Sequence, residues 1–321
     1  MSRLPSGSLA ILPPMSLTVT GTIGIDTVFT PDGQHRENVL GGSCTYFAAA
    51  ASFYTPVRMV AVVGDDFPAD FRRTIARFAN VDTAGLETRS GSKTFRWGGR
   101  YQPDMDHRDT LYTELNVLTE APPPVPAAYR DSRFVFLANT HPAVQIGLLD
   151  QFPGRGLAVA DTMDLWISTA RAELELLLTR VDGLVLNFDE AEQFTGLRNT
   201  VAAGRRLLDF GPRFVVVKKG EHGAILVHRD GIAALPAYPA ERVVDPTGAG
   251  DSFAGGLMGF LASSRDAAEP GAFDAIRRAM AHGTVIASFT IEAFSLERLA
   301  SLTRAEIDAR FAEYQQMLRL H

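Results

Sequence analysis

A glycine-rich stretch in the last third of the chain carries the residues best suited to phosphate chemistry. It reads VVDPTGAGDSFAGGLMGFL, from Val243 to Leu261, and its pattern predicts a short strand, a turn and an apolar helix. The first amides of a helix lack intrahelical acceptors and lie at the positive end of the helix dipole, so they bind anions such as phosphate. The amides that we expect to form this anion site belong to Gly248, Ala249, Gly250 and Asp251.

Asp251 adds a carboxylate to this helix start. The dipole favours its ionised form, which can accept the proton of an attacking hydroxyl. During phosphoryl transfer, fixed amide donors stabilise the charge on the transferred group. The pattern therefore favours phosphoryl transfer to an alcohol, with Asp251 as the general base. The alternative is a purely structural role, in which Asp251 or Ser252 only caps a buried, glycine-rich helix.

The whole string closely resembles the carboxyl-terminal signature of the ribokinase-like (PfkB) carbohydrate kinases. Their D-x-x-G-A-G-D core is matched from Asp245 to Asp251, and the resemblance spans the chain from about Leu17 to Arg310. Other stretches match the family in the expected order: GTIGID with Asp26, the pair Gly41 and Gly42, LNFDEAEQFTG with Asn187 and Glu190, and VVVKKGEHGAILV with Lys218, Gly220 and Gly223. The resemblance implies an ATP-dependent kinase that uses Mg²⁺ and phosphorylates a hydroxyl of a sugar or sugar derivative.

The resemblance also implies a role for each matched residue. The implied acceptor-binding residues are Asp26, Gly41 and Gly42, and the implied nucleotide-binding residues are Asn187, Lys218, Gly220 and Gly223. Glu190 would place Mg²⁺ through water, and a monovalent cation such as K⁺ would bind near Asp245 and Thr247. Without the family context, Asn187 and Glu190 fit a helix cap equally well, and Lys218 fits a solvated strand end.

One position departs from the family pattern. Many relatives carry Asn a few residues after the di-glycine, where it contacts substrate, whereas this chain reads GGSCTYF and has Tyr46 there. Sugar specificity therefore does not carry over, and Tyr46 fits a core position of the following helix as well as a substrate contact. His141 and Asp161 follow strand-like runs and face the expected crevice, but no role is assigned to them.

The elements that position these residues follow from the hydrophobic pattern. Short apolar runs read as parallel strands buried on both faces: LTVTGTIG, RMVAVVG, FVFLAN, LAVAD, LVLN and FVVVK. Helical spacing lies between them, around residues 71–78, 170–179, 201–208 and 272–289. The alternation predicts one α/β domain over residues 17–321, with a ribokinase-like doubly wound, mainly parallel sheet and helices on both faces. Residues 1–16 are expected to be a disordered extension.

Two polar, turn-rich segments, about 27–40 and 91–115, interrupt this alternation. We predict that they form a small β-lid over the substrate, although two surface hairpins without function would give the same pattern. Arg96 in the second segment is a candidate substrate contact, while its aromatic neighbours fit either stacking on a ring or packing of the lid. A family lid often pairs with a second subunit, so a homodimer through the lid is an expectation and a monomer stays open.

Composition and charge limit the partners. The chain has 321 residues, a net charge of −6 and one cysteine, Cys44, so neither a nucleic-acid polymer nor an internal disulfide is expected. No stretch reads as a signal peptide or a membrane span, and the cytosol fits best. The tripeptides at His107 and Asp209 resemble protein-kinase signatures only by coincidence, and no P-loop motif occurs.

Three functions remain open at this point. The favoured one is a sugar kinase, and the nearest alternative is a nucleoside kinase of the same family. A catalytically idle protein that binds sugars or nucleotides is the third. The complete Gly-Ala-Gly turn with Asp251 argues against the idle protein, because binding alone does not require a base.

Overall fold

The computed structural model describes residues 16–264 and 269–319. Its strands are β1 (Leu17–Thr20), β2 (Gly24–Phe29), β3 (His35–Gly41), β4 (Val57–Gly64), β5 (Val81–Arg89), β6 (Phe95–Tyr101), β7 (Arg108–Glu114), β8 (Phe134–Leu137), β9 (Leu157–Asp161), β10 (Gly183–Asn187), β11 (Phe214–Lys218), β12 (Ala224–His228) and β13 (Gly231–Leu235). Its α-helices are α1 (Ser43–Ala51), α2 (Ala69–Ile75), α3 (Pro142–Leu149), α4 (Asp164–Thr169), α5 (Arg171–Leu178), α6 (Phe188–Thr195), α7 (Thr200–Leu208), α8 (Ala249–Ser263), α9 (Phe273–Thr290), α10 (Glu297–Ser301) and α11 (Arg304–Met317). The extension predicted for residues 1–16 lies outside the described residues, apart from Ser16.

Nine strands form the main sheet, in the order β13-β12-β11-β10-β9-β8-β1-β4-β5. The pairs from β11 to β5 are parallel, and only β12 and β13 run antiparallel to their neighbours. All six runs that were predicted as strands contribute to this sheet. The predicted mainly parallel, doubly wound fold is therefore confirmed.

Two hydrophobic cores cover the two faces of the sheet. Alternate residues of a strand point to opposite faces, so Phe134 and Phe136 enter one core while Val135 and Leu137 enter the other. The first core includes side chains from α1, α8 and α9, and the second includes side chains from α3, α5, α6 and α7. Burial on both faces explains why the strand sequences are continuous apolar runs instead of alternating ones.

A separate four-stranded sheet, in the order β3-β2-β6-β7, is built from the two segments predicted to form the lid. Strands β2 and β6 pair in parallel and join the two hairpins. The first strand-like run of the sequence divides between the two sheets, because the chain leaves β1 through Gly21 and enters β2 at Gly24. Asp26 consequently lies in the small sheet and not in the first strand of the main sheet.

Helices α1 and α8 pack closely on one face of the main sheet. Gly255 of α8 lies against the carbonyl of Phe47, and Gly259 lies against the backbone of Ala51, so neither position leaves room for a side chain. These contacts hold the backbone of α1 against α8, at a fixed distance from the N-terminus of α8. Within the described ranges, no helix is both long enough and apolar enough to cross a membrane.

Candidate active site

The glycine-rich turn begins helix α8, as the sequence predicted. Gly248 is the N-cap, with φ of 77° and ψ of 0°, a left-handed conformation that favours glycine. The amide of Ala249 donates to the Pro246 carbonyl at 3.1 Å, and the Ser252 amide donates to the Gly248 carbonyl at 2.8 Å. Those of Gly248, Gly250 and Asp251 have no acceptor among residues 16–264 and 269–319. The anion site therefore rests on three of the four amides predicted for it, because Ala249 is already partnered.

Asp251 lies in the first turn of α8. Burial raises the pKa of its carboxyl above the ordinary value, while the positive charges of Lys218 and Arg108 oppose this shift. Lys218 ends β11, and its Nζ reaches the glycine turn, 2.5 Å from the point where a Cβ on Gly250 would lie. The two cations thus add to the helix dipole in favouring the ionised base, against a burial cost that the sequence did not reveal.

Asn187 and Glu190 form a complete capping box at the start of α6. Asn187 Oδ1 accepts from the Glu190 amide, and Glu190 Oε2 accepts from the Asn187 amide, both at 2.8 Å. The helix cap that the sequence allowed at these two residues is therefore present in the structure. Glu190 is nevertheless buried, and burial raises its pKa while Lys218 lowers it, so the cap lies beside the charged centre. Register places Asn187 directly opposite Lys218.

Asp161, to which the sequence assigned no role, belongs to the same charged centre. It ends β9 and is 5% exposed, and its Oδ1 has no partner among the described residues. Burial, followed by the charge of Asp251, raises its pKa well above the ordinary value, and Lys218 opposes the shift. His141 has a structural role instead, because its Nδ1 accepts from the Ala143 amide at 3.2 Å and caps α3.

The residues implied to bind the acceptor meet at Asp26. The Asp26 carboxylate lies directly against Gly41, where any side chain would collide with it, and Gly42 approaches the backbone of residues 22–24. Asp26 is 4% exposed and its Oδ1 has no partner among the described residues. Burial, together with the charges of Asp245 and Asp251, raises its pKa to about 8. The charge of Asp251 thus reaches Asp26, which relates the two parts of the predicted site.

Arg96 pairs with protein groups at the base of the lid sheet. Its Nη2 lies 2.9 Å from Asp66 Oδ2, and its Nη1 donates to Asn38 Oδ1 at 3.2 Å. Asp66 also accepts from the Thr94 amide at 2.6 Å. These contacts give Arg96 a structural role in joining the lid to the core, and its contact with substrate stays a prediction.

Two lid residues act on the glycine turn: Tyr101, one of the lid aromatics that the sequence offered for stacking or packing, and Arg108, to which the sequence gave no role. The hydroxyl of Tyr101 is hydrogen bonded to Thr247 Oγ1 at 3.1 Å. The Arg108 guanidinium lies 5.7 Å from the centre of the Trp97 ring, and within the described part of the chain it forms neither a hydrogen bond nor an ion pair. Its charge acts on both Asp251 and Glu190. No sequence signal gave Arg108 a role, since it lies in the coincidental kinase-like tripeptide, and none indicated that Tyr101 would contact Thr247.

Asp245 and Thr247 form the strand side of the turn. Asp245 is 1% exposed, its Oδ1 accepts from the Thr247 amide at 2.9 Å, and its Oδ2 has no partner among the described residues. The amides of Val244 and Asp245 both point at the Ile291 carbonyl. An unpartnered buried carboxylate oxygen is a candidate ligand for a cation.

Gly220 and Gly223, which follow β11, contact different parts of the chain. Gly220 has a φ of 50° and lies against the carboxylate of Asp106, which belongs to the tip of the β6–β7 hairpin. Gly223 lies against the carbonyl of Leu235 and the backbone of Pro236. The lid tip therefore touches the turn that was expected to border the nucleotide.

Comparisons with known proteins agree with this geometry. Residues 159–296 match the model of the pfkB family carbohydrate kinases. A cytidine kinase of Thermococcus kodakarensis is 30% identical over 250 residues, covering 76% of this chain and 87% of that protein. A nucleoside kinase of Methanothermobacter thermautotrophicus is 26% identical over 265 residues, covering 81% and 80%.

A likeness in structure covers almost the whole chain. The nucleoside kinase of Methanocaldococcus jannaschii, described as an archaeal member of the ribokinase family, superimposes with a TM-score of 0.74 at 19% identity, over 93% of this chain and 98% of that one. At that identity the likeness concerns the fold alone. The family model, the similarity to the cytidine kinase and the fold agree, and the chain belongs to the pfkB family of carbohydrate kinases.

Proposed function

We propose that this kinase transfers the γ-phosphoryl group of ATP to a hydroxyl on the sugar of a nucleoside. The observation that carries the proposal is the meeting of two half-sites: free amides with Asp251 and Lys218 on one side, and Asp26 with its di-glycine on the other. Relatives that match three quarters or more of the chain are named for nucleosides, which favours this acceptor class over a free sugar. A free sugar is the second candidate, since Asp26 would bind hydroxyls of either.

The reaction follows from the residues around the turn. Asp251 accepts the proton of the attacking hydroxyl as that oxygen bonds to the γ-phosphorus, and the bond to the β–γ bridging oxygen breaks to release ADP. The amides of Gly250 and Asp251 and the Lys218 ammonium stabilise the charge on the transferred group. Arg108, a lid cation that packs over Trp97 and has no hydrogen bond or ion pair among the described residues, supplies further positive charge.

Divalent and monovalent cations fit the charge of the site. Asp26, Asp161, Glu190, Asp245 and Asp251 are five carboxyls that Lys218 and Arg108 alone do not balance. Within the described residues, no three acidic, His or Cys side chains could hold a metal by themselves. Asp161 and Glu190 would therefore hold Mg²⁺ through water and the nucleotide phosphates, where Mg²⁺ neutralises phosphate charge. Asp245 and the Thr247 carbonyl would hold K⁺.

The first test is a coupled ADP-release assay with nucleosides, pentoses, hexoses and sugar phosphates as acceptors. We expect release that depends on a nucleoside and on Mg²⁺, and stronger activity with K⁺ than with a bulky organic cation. A free sugar as the best acceptor would favour the second candidate. Tight binding of ATP and acceptor without turnover would indicate the idle protein and would contradict the proposal.

The second test changes the base. Asp251→Asn keeps the size of the side chain but removes the proton acceptor, so we expect kcat to fall by about 10²–10⁴-fold with little change in acceptor affinity. Asp209→Asn, an exposed position outside the site, is the matched control and should leave kcat unchanged. Near-normal turnover of Asp251→Asn would refute the assignment of Asp251 as the base.

A further inference from the structure

Tyr46, the residue at which this chain departs from the family pattern, lies at the centre of the site. Its side chain is 2% exposed, and its amide donates to the Gly42 carbonyl at 3.3 Å, so it follows the di-glycine by one helical turn. Burial and the negative charges of Asp26, Asp245 and Asp251 raise the pKa of its phenol. Tyr46 therefore lies between the acceptor half-site and the anion site.

The ring of Tyr46 is packed on Gly248. A Cβ built on Gly248 would lie against the Cγ, Cδ1 and Cδ2 atoms of the ring, so the ring covers the α-carbon of the residue that begins the anion site. Helix α1, which carries Tyr46, is itself held against α8 through Gly255 and Gly259. The ring consequently keeps a fixed position relative to the first turn of α8.

Gly248 needs such support for a physical reason. It has no side-chain cap, and a glycine with φ of 77° has many other accessible conformations. The direction of the Gly250 and Asp251 amides depends on its backbone angles, because Gly248 is the N-cap of their helix. A ring packed over its α-carbon excludes conformations that would move this backbone towards α1.

We propose that Tyr46 is a positioning residue whose aromatic ring holds Gly248 in its left-handed conformation and so keeps the amides of Gly250 and Asp251 directed at the transferred phosphoryl group. The proposal rests on the proposed function, since it needs a phosphoryl group at those amides. It assigns the effect to the ring and not to the hydroxyl, which separates it from a direct contact with the acceptor.

The test compares Tyr46→Phe, which keeps the ring, with Tyr46→Leu, which removes it. We expect Tyr46→Leu to lower kcat by about 10–100-fold, since small displacements of catalytic groups have effects of this order, while the KM for the best acceptor changes by less than about threefold. Tyr46→Phe should restore kcat to within about threefold of the unchanged protein. Phe47→Leu is the matched control, because it removes a buried ring from the same helix on the side that stacks on Phe136.

A binding measurement makes the result independent of turnover. MgADP with aluminium fluoride mimics the transferred group, and its affinity, measured without acceptor, should fall in Tyr46→Leu by a factor similar to that in kcat. MgADP alone should bind all four proteins equally. Phe47→Leu should lose thermal stability yet keep its affinity for the aluminium fluoride complex.

Two outcomes would overturn the proposal. One is unchanged affinity of Tyr46→Leu for the aluminium fluoride complex, which would show that the ring does not position the amides. The other is a loss in Tyr46→Phe as large as in Tyr46→Leu, which would assign the effect to the hydroxyl. Failure of the unchanged protein to phosphorylate any acceptor would contradict the proposed function alone, because the binding measurement would still test Tyr46.

Discussion

At the scale of single residues, the site contains carboxyls that work against the stability of the fold. Asp26 is the clearest case, since it is buried against Gly41 with one oxygen unpartnered among the described residues and has a pKa of about 8 instead of 3.8. Between these two values the folded chain binds more protons at Asp26 than the unfolded chain does. The contribution of Asp26 to stability therefore falls as the pH rises from about 4 to about 8.

Replacement of Asp26 should consequently separate stability from function. We expect Asp26→Asn to raise the free energy of unfolding at pH 8.5 by about 1–3 kcal/mol, because it removes a buried charge, and to raise the acceptor KM at least about tenfold. Urea unfolding at pH 5.5 and 8.5 measures the first effect, which should be smaller at the lower pH. Asp32→Asn, on the exposed turn of the lid, is the control. Equal unfolding free energies of the variant and the unchanged protein at pH 8.5 would contradict the assigned pKa.

At the scale of elements, the packing of α8, α9 and α11 includes a histidine in an aromatic sandwich. The His282 ring of α9 is stacked between Phe260 of α8 and Phe311 of α11, with both ring centres at 4.0 Å. Its Nδ1 is buried without a partner among the described residues. Burial, together with the charge of Arg304, lowers its pKa from 6.5 to about 4. The unfolded chain therefore binds the proton more tightly, and stability is lost as the pH falls from 6.5 towards 4.

This helix contact predicts a defined sensitivity to acid. We expect the unchanged protein to lose about 1–2 kcal/mol of unfolding free energy at His282 between pH 7.5 and pH 5, and His282→Phe to lack this loss because it keeps the stack without a titrating group. Urea denaturation at both values measures the difference. The exposed His222→Phe should behave like the unchanged protein. The idea fails if both variants show the same dependence on pH.

Comparison of sequence and structure shows which elements local pattern can predict. The six buried strands and the turn from Asp245 to Asp251 were predictable, because continuous apolar runs and a glycine-rich helix start are local signals. The contact of Tyr101 with Thr247 was not, since it joins residues 146 positions apart through a lid whose seating no local pattern describes. The hydrogen bond from the Ala249 amide to the Pro246 carbonyl, which removes this amide from the anion site, could not be predicted either, because it depends on the detailed geometry of the turn.

At the scale of the whole molecule, the small sheet carries Asp26 of the acceptor half-site and contacts the other half of the proposed site. Tyr101 contacts the anion turn, and the hairpin tip places Asp106 against Gly220. Leu111 and Tyr112 are exposed on β7, an edge strand of that sheet, at 45% and 38%. We propose that a homodimer through the lid would form at this edge. Burial of the exposed apolar side chains there would drive the association.

The hairpin tip gives a prediction about closure. In Gly220→Ala the added methyl group would collide with Asp106, so we expect the lid to seat poorly and water to compete with the acceptor. The ratio of ATP hydrolysis to acceptor phosphorylation should rise by about tenfold or more. Gly33→Ala has a comparable positive φ in the first lid hairpin with open space around it, so it reproduces the backbone strain without the collision. An equal ratio in both variants would contradict a role for the contact.

The contact between Asp106 and Gly220 has a consequence for the end of the catalytic cycle. The β6–β7 hairpin pairs with the strand that carries Asp26 and also rests on the turn proposed to border ADP. We therefore expect both products to leave only after that hairpin opens. Departure of ADP and of the phosphorylated product would share a single rate-limiting opening, and added viscogen would slow both to the same degree.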